Sequence, residues 1–368
     1  MPRPRAHDNG NSAIADLLRA LASVEAAPPL RAKYLEAAVA IAALDRPIAV
    51  LLRPGGSLEP VAGVSPAAAR VVVEILTTGS SPTVERALAR SRPPARSGRT
   101  PTARDTFLDD AAVAAALADP TLAGPSLADY RGDLQMHSTY SDGSQPLEAI
   151  VATGLARGYE FAAVTDHGYG LPDAHGVSMA RLDGQHREID GLNEVHAGRF
   201  RLIKGIEANI RPDGTIDMTA SELRRLEIVV AAPHGALQSP ADQTARFVAA
   251  VRSPGVHILG HPRGRKRGVR PGVRVDWDRV FEAAARTTVA IEIDGDPRRQ
   301  DIDYVLARRA LDAGCLFALD SDAHATDEWA FADIAVAHAR LAGIPCERII
   351  NCWPLEFLLE WARGLQRR

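Results

Sequence analysis

The sequence predicts an α/β chain in which a distorted (β/α)7, TIM-like barrel follows a small all-α domain. Three observations carry that reading. After Gly132, seven short apolar runs alternate with amphipathic stretches of helical period, the pattern of a fold built from repeated strand–helix units. Histidines and acids of metal-ligating type recur at the C-terminal ends of those runs, the face on which such a barrel builds its site. Ahead of them, apolar residues recur at helical rather than strand spacing.

The bulk properties exclude several classes. A chain of 368 residues allows two or three domains. At 46% hydrophobic and 24% charged residues it can bury a sizeable core, which excludes a wholly disordered chain. No apolar run reaches the roughly 18 residues a membrane-spanning helix needs. The opening MPRPRAHDNGNS has no apolar core, and predicts no secretory signal. Cys315, Cys346 and Cys352 are too few and too clustered for a disulfide framework, so a reduced, cytoplasmic setting is expected. The net charge of −3 hides an asymmetry: residues 1–100 carry 13 Lys+Arg against 8 Asp+Glu, and the remainder is acidic. A basic front on an acidic, histidine-bearing body suggests two tasks in one chain.

Taken in order, Ile14, Leu17, Leu18 and Leu21 predict a first helix over Ser12–Glu25, with Ser12 as its N-cap and Pro28-Pro29 as its stop. Tyr34, Leu35, Ala38, Val39 and Ile41 predict a second helix, and Ile48 to Leu52 a short third. A tight turn through Gly63-Val64-Ser65-Pro66 leads into a helical stretch over Ala67–Leu76, with Gly79 as terminator. Six arginines, three prolines and no acid between Arg86 and Arg104 predict a basic linker. A helix is expected near Asp109–Leu117. The expected domains are residues 1–90, a linker with its helix at 91–130, and the barrel at 131–368.

The seven predicted strands are Asp133–His137, Phe161–His167, Arg201–Glu207, Leu226–His234, Val256–His261, Val289–Asp294 and Cys315–His324, with helical stretches such as Leu147–Arg157 and Ala245–Val251 between them. Seven rather than eight strands predict an incomplete or distorted barrel. Strand one ends on Gln135 and His137, with Asp142 on its loop. Asp166 and His167 end strand two, Glu207 strand three, His234 strand four and His261 strand five; Asp320, Asp322 and His324 end strand seven. A single such residue is usually a buried, hydrogen-bonded core residue. Their arrival at one end of six strands predicts a metal cluster, and imidazole with carboxylate suits Zn2+, Mn2+ or Fe2+. Metals bridged by a carboxylate, roughly 3.5–4 Å apart, clamp a phosphoryl group and ionise water. Five cations among the eight residues Arg263–Arg270, directly after His261, are expected to hold substrate phosphate.

These residues resemble the polymerase and histidinol phosphatase (PHP) family of metal-dependent phosphoesterases. The resemblance rests on Gly-Asp-Leu-Gln135-Met-His137-Ser-Thr-Tyr-Ser-Asp142-Gly, Val-Thr-Asp166-His167, Lys-Gly-Ile-Glu207, Gly-His261-Pro and Ser-Asp322-Ala-His324, and covers residue 132 to about 355. It implies a (β/α)7 barrel with three metals on its C-terminal face. One is held by His137, Glu207 and Asp322, with Gln135 where many members have His; the second by bridging Glu207 with His234 and His261; the third by Asp142, His167 and His324. Asp166 would orient ligands, and Arg263, Arg265, Lys266 and Arg270 would position phosphate. The string around Gln135 is similar to the PHP part of bacterial family X DNA polymerases. Leu58–Leu76 is similar to their N-terminal helix-hairpin-helix, with Ser65-Pro66 weakening the usual phosphate-binding turn and Val71 at the position of a lyase lysine. The stretch from Arg90 to Gly132 is too short for a polymerase palm, and Asp109-Asp110 is adjacent rather than spaced.

The resulting expectation is a metal-dependent phosphoesterase acting on DNA 3′ ends, as exonuclease or 3′-phosphatase, with two or three divalent ions and no membrane partner. The alternatives are a small-molecule phosphatase, for histidinol phosphate or a nucleotide, and a non-catalytic DNA-binding remnant.

Overall fold

The computed structural model describes residues 11–24, 27–44, 46–53, 55–78, 81, 83–84 and 106–367, and divides into two compact units, Met1–Thr100 and Pro101–Arg368. In the first, α1 (Asn11–Val24), α2 (Pro28–Ala42), a 3-10 turn (Ile48–Leu51) and α3 (Pro66–Thr78) bury Ile14, Leu18, Leu21, Tyr34, Ile41, Val71 and Val72 in one apolar cluster. Pro28 and Pro29, expected to stop α1, open α2 instead, because a first helical turn has no partner for the N–H that proline lacks. Ser12 lies inside α1 rather than ahead of it. Asn11 ties the helix start to the next turn, its carboxamide accepting from Ile48 N (2.8 Å) and donating to Arg46 O (2.9 Å). The Gly63–Pro66 turn has a local explanation: Gly63 takes φ +79°, Ser65 Oγ accepts from Ala68 N (3.3 Å), and Pro66 opens α3. Gly79 and the basic linker Arg86–Arg104 fall outside the described residues.

The second unit is a seven-stranded parallel barrel in sequential order: β1 (Gly132–Asp133), β2 (Phe161–Val164), β3 (Arg201–Asn209), β4 (Ile228–Ala232), β5 (Ile258–Leu259), β6 (Ala290–Asp294) and β7 (Leu316–Asp320). Its ends meet where Met136 bridges Ala323 in parallel and His137 N donates to Ala323 O (2.8 Å). Below that seam Asn351 donates to Gly132 O (3.0 Å) and Leu319 O (2.8 Å), joining β1 to β7 through a side chain. Helix α4 (Asp110–Ala118), capped by Asp109, packs Val113 and Ala116 on Ala337. Between the strands run α5 (Leu147–Ala156), α6 (Met179–Val195), α7 (Ala220–Leu223), α8 (Thr244–Arg252), α9 (Trp277–Thr287) and α10 (Tyr304–Asp312); α11 (Ala332–Ala342) and α12 (Leu355–Gln366) follow β7. Among the described residues no helix is long and apolar enough to cross a membrane.

Side chains alternate along each strand, and this alternation positions the site. One set, such as Ala162, Val164, Val229 and Ile291, packs outward beneath the helices. The other set, Phe161, Ala163, Ile203, Ile228, Val230, Ala290 and Ala318, fills the interior with Ile350, Trp353, Leu358 and Ala362, which close the end where the strands begin. Two and four residues further along the same inward register, apolar gives way to polar: Ile203 leads to Glu207, Ala290 to Glu292 and Asp294, Ala318 to Asp320 and Asp322. Six of the strands are shorter than the apolar runs predict and β3 is longer, running to Asn209, so most ligand-type residues other than Glu207 stand just beyond the strand ends. Gly205 permits the barrel to narrow there, since a Cβ would meet Thr165 Cγ2 at 2.7 Å and Val164 O at 2.9 Å.

Candidate metal centre

Glu207 is the hub. Its carboxylate is buried at the C-terminal end of β3 and faces histidines on both oxygens. Oε1 lies 2.9 Å from His261 Nε2 and 3.2 Å from His234 Nε2; Oε2 lies 3.0 Å from His167 Nδ1 and 3.4 Å from His137 Nε2. His137 Nε2 is also 3.1 Å from Asp322 Oδ1. Outward, Asp142 Oδ1 stands 3.9 Å from His137 Nδ1, 3.6 Å from His167 Nε2 and 3.5 Å from His324 Nε2. The His137 ring stacks between His167 (4.4 Å) and His324 (4.2 Å). Ligand atoms therefore converge in three overlapping groups: His137 with Glu207 and Asp322; His167 with Glu207 and His234; and His137, Asp142, His167 and His324. With His261, eight residues singled out in the sequence meet at one point.

The donor chemistry fits divalent metal ions. His137 Nδ1, His234 Nδ1, His261 Nδ1 and Gln135 Oε1 are buried with no hydrogen-bond partner among the described residues. Leaving that many polar atoms unpaired is costly unless a cation satisfies them. Burial opposes ionisation of Glu207, yet His167 and His234 hold it well below the ordinary carboxylate range. Burial pushes His137 and His234 down toward the neutral form that a ligand needs. Burial likewise works against charge on His167, but Glu207 and Asp142 hold it up at about 9; a metal cation supplies the same positive charge that this proton supplies.

Local structure fixes the ligands. His261 (φ +22°) and Asp322 (φ +53°) adopt left-handed backbone, a strained conformation for such residues that turns each ligand inward past its strand. Glu292 accepts the His261 backbone N–H (2.5 Å). At Gly260 an added Cβ would meet Val230 Cγ1 at 2.5 Å and Gln135 Oε1 at 3.3 Å; Gln135 Nε2 donates to Asp322 Oδ1 (3.3 Å). Asp166 reaches no ligand atom. Its carboxylate accepts from Ser138 N (2.8 Å), Ser138 Oγ (2.5 Å), Ser141 N (3.2 Å), Ser141 Oγ and Gln185 Nε2 (2.5 Å), and so holds the loop running from His137 to Asp142. Asp320 accepts from Leu134 N (2.8 Å) and Asn351 Nδ2 (3.0 Å) and serves the barrel seam.

The basic loop divides. Arg265, expected at phosphate, is buried: it pairs with Asp303 (2.9 Å), donates to Arg299 O (2.8 Å), Gln300 O and Thr106 Oγ1 (2.9 Å), and covers the Phe107 ring at 4.2 Å. Arg263 pairs with the same Asp303 at 2.5 Å. Both guanidiniums are engaged in holding the fold. Arg270 donates to Gly264 O, while Lys266 makes no ion pair among the described residues. The arginine nearest the ligands is one that strand ends alone do not single out. Arg299 Nη2 lies 3.5 Å from Asp322 Oδ2, and Nε lies 3.7 Å from Asp294 and 3.6 Å from Asp296. Burial disfavours its charge, but those carboxylates hold its pKa above the usual range. A signal for it exists in the sequence: Asp294-Gly-Asp-Pro-Arg-Arg299 follows the one predicted strand that offers no ligand of its own.

No protein-family model matches the chain. The chain is 33% identical over 231 residues to the DNA polymerase/3'-5' exonuclease PolX of Bacillus subtilis, a match that covers 62% of this chain and 40% of that protein. The chain thus spans well under half the length of that relative. It is 30% identical over 241 residues to the probable phosphatase YcdX of Escherichia coli, covering 62% of this chain and 93% of that one. Among solved structures, a histidinol phosphate phosphatase from Lactococcus lactis, complexed with zinc, L-histidinol and phosphate, aligns with a TM-score of 0.42 at 16% identity, over 65% of this chain and 93% of the other.

Proposed function

The chain belongs to the PHP family of metal-dependent phosphoesterases, and from that premise we propose that it hydrolyses phosphate esters at DNA 3′ ends. The observation that carries the phosphoesterase chemistry is the convergence of four imidazoles on the two oxygens of Glu207. In this reading His137, Glu207, Asp322 and Gln135 hold one divalent ion, Glu207, His234 and His261 a second, and Asp142, His167 and His324 a third. Such ions, when bound, polarise phosphoryl oxygens and lower the pKa of water. The donor set of imidazole and carboxylate suits Zn2+, Mn2+ or Fe2+.

The remaining side chains divide the other tasks. Asp166 holds the Ser138–Ser141 turn so that His137 and Asp142 keep their spacing. Arg299 steadies Asp322 from the side opposite His137. Lys266 and Arg270 receive the phosphate, since Arg263 and Arg265 are held by Asp303. DNA as the substrate is supported by the similarity to PolX and by the basic balance of residues 1–100.

A second reading, a phosphatase for small phosphate esters, is favoured by a different observation: the similarity to YcdX covers 93% of that protein, so the barrel by itself is the length of a whole phosphatase. One screen separates the two. Manganese-loaded protein is offered 3′-labelled oligonucleotides, 3′-phosphorylated oligonucleotides and aryl or histidinol phosphates. A kcat/KM higher on DNA ends supports the DNA reading. Turnover of small esters alone, with no competition by DNA, overturns it and leaves the phosphoesterase standing.

A further inference from the structure

Arg299, the arginine beside Asp322, is fixed on both sides along the chain. Before it, a tight turn brings Arg299 N and Gln300 N onto Asp296 O at 2.7 and 2.8 Å. After it stands Gln300, which is fully buried and takes left-handed backbone at φ +46°, a strained conformation for a residue that carries a Cβ. The two neighbours send their side chains to different places. Arg299 reaches Asp294, Asp296 and Asp322 at 3.7, 3.6 and 3.5 Å. Gln300 reaches the segment that leads into the barrel. Its Oε1 accepts from Leu108 N at 2.7 Å and its Nε2 donates to Leu108 O at 2.9 Å, as a neighbouring strand would.

His338 sets the orientation of that amide. Tyr304 N donates to His338 Nδ1 (3.1 Å), so the ring proton sits on Nε2 and points at Gln300 Oε1 (2.9 Å). Burial, and then Arg265, push the His338 pKa down to about 3, which keeps the ring neutral and its tautomer fixed. Around this point Thr106 Oγ1 donates to Asp303 (2.9 Å) and accepts from Arg265 Nη1 (2.9 Å), while Arg265 Nε donates to Arg299 O (2.8 Å). The segment Thr106–Leu108, expected to be part of a linker, is therefore bonded to the loops that follow β5 and β6, and the second of these carries Arg299. Without the Gln300 amide, Leu108 N and O lose their partner, and the left-handed turn loses the bonds that oppose its strain.

We propose that Gln300 is a positioning residue for phosphoester hydrolysis: bonded to Leu108 and His338, it holds the Arg299 guanidinium against Asp322. The residues Thr106–Leu108 thereby belong to the support of the metal centre, although they lie ahead of α4 and β1 in the chain. The proposal rests on the reading of Asp322 as a metal ligand and deepens it. A ligand carboxylate is held by the hydrogen bonds and charges behind it, and loosening them weakens metal binding or turnover by about 10- to 100-fold. Here Arg299 supplies that support, and Gln300 fixes Arg299.

The test uses the full chain loaded with manganese, bis(p-nitrophenyl) phosphate as substrate, and urea unfolding to follow the fold. Gln300→Gly removes the amide and relieves the left-handed backbone. Gln300→Asn tolerates that backbone but is one methylene too short to pair with Leu108. Both should lower kcat about tenfold, with KM within about twofold of wild type. Arg299→Met should lose at least as much. Because Gln300 acts through Arg299, the double variant R299M/Q300G should match Arg299→Met to within about twofold. Losses that multiply in the double variant would show that Gln300 supports the fold independently of Arg299, and would overturn the proposal. Wild-type kcat in both Gln300 variants, or failure of both to fold, would overturn it too. Asp322→Asn tests the ligand assignment separately: wild-type metal content and kcat in that variant would remove Asp322 from the ligand set, and the proposal with it.

Discussion

Glu207 Oε1 stands 2.9 Å from His261 Nε2 while its other oxygen stands 3.0 Å from His167 Nδ1, so one carboxylate separates histidines delivered by two different strands. A residue in that position is shared by whatever the two sides hold. Glu207→Ala should therefore lose bound metal, measured by elemental analysis, and reduce phosphoester hydrolysis by a factor of about 10² or more. Undiminished activity at unchanged metal content would show that the hub lies elsewhere.

Gln135 offers the complementary change. Its amide nitrogen donates to Asp322 Oδ1 at 3.3 Å, which leaves Oε1, buried and unpartnered, to face the ligand group. An amide oxygen is a weaker donor to zinc than imidazole. Gln135→His should raise zinc retention by about tenfold in a competition with a chelator. Unchanged retention would remove Gln135 from the ligand set.

A pH effect on stability is expected at the opposite end of the barrel. His257 is fully buried; its Nδ1 accepts from Val229 N (2.9 Å), and its Nε2 faces Ala362 O at 3.0 Å, which fixes the neutral Nε2–H tautomer. Burial pushes its pKa down to about 4, against about 6.5 in an unfolded chain. Between those values the unfolded state binds a proton that the folded state does not, so this contribution is complete above pH 6.5 and fades as pH falls toward 4. Compared by urea unfolding with His257→Gln, wild type should lose its relative stability by about 1.4 kcal/mol per pH unit across that window. A difference that stays constant with pH would refute the buried neutral assignment.

Much of the site is legible in the sequence because metal chemistry restricts residue type. His137, His167, Glu207, His234, His261, Asp322 and His324 stand out as polar endings of apolar runs, and barrel topology brings such endings to one face. The inward register explains why those endings work: Ile203 and Glu207 lie four residues apart on the same face of β3. What composition does not reveal is which cations are engaged. Arg263 and Arg265 look like phosphate ligands in the sequence because they follow His261, yet Asp303, some forty residues later, claims both. Arg299 is not singled out by the strand ends, yet Asp294, Asp296 and Asp322 draw it in. Pairing across loops depends on which loops meet, and alternation within a strand carries no information about that. The start of α2 at Pro28 departs from expectation for a related reason: proline both ends and begins helices, and only the position of the next helix decides between them.

Arg265 gives the sharpest separation between a residue that holds the fold and one that holds substrate. Its guanidinium is buried against Asp303, Thr106 and the carbonyls of Arg299 and Gln300, and its face covers Phe107. Arg265→Met would leave the Asp303 carboxylate with Arg263 as its one cation among the described residues, beside hydrogen bonds from Thr106 Oγ1 (2.9 Å), Val305 N (3.1 Å) and Leu306 N (3.0 Å), and would take the donors from the carbonyls of Arg299 and Gln300. Removing one member of such a buried pair costs about 3–5 kcal/mol, partly offset here by the remaining Arg263. The urea midpoint should therefore fall clearly, while the protein that remains folded at low temperature keeps its KM for an aryl phosphate within about twofold. The phosphate-binding role expected from the sequence makes the opposite demand: a raised KM with the midpoint unchanged. Measuring both quantities on one variant decides between them, because no single placement of the Arg265 side chain produces both results.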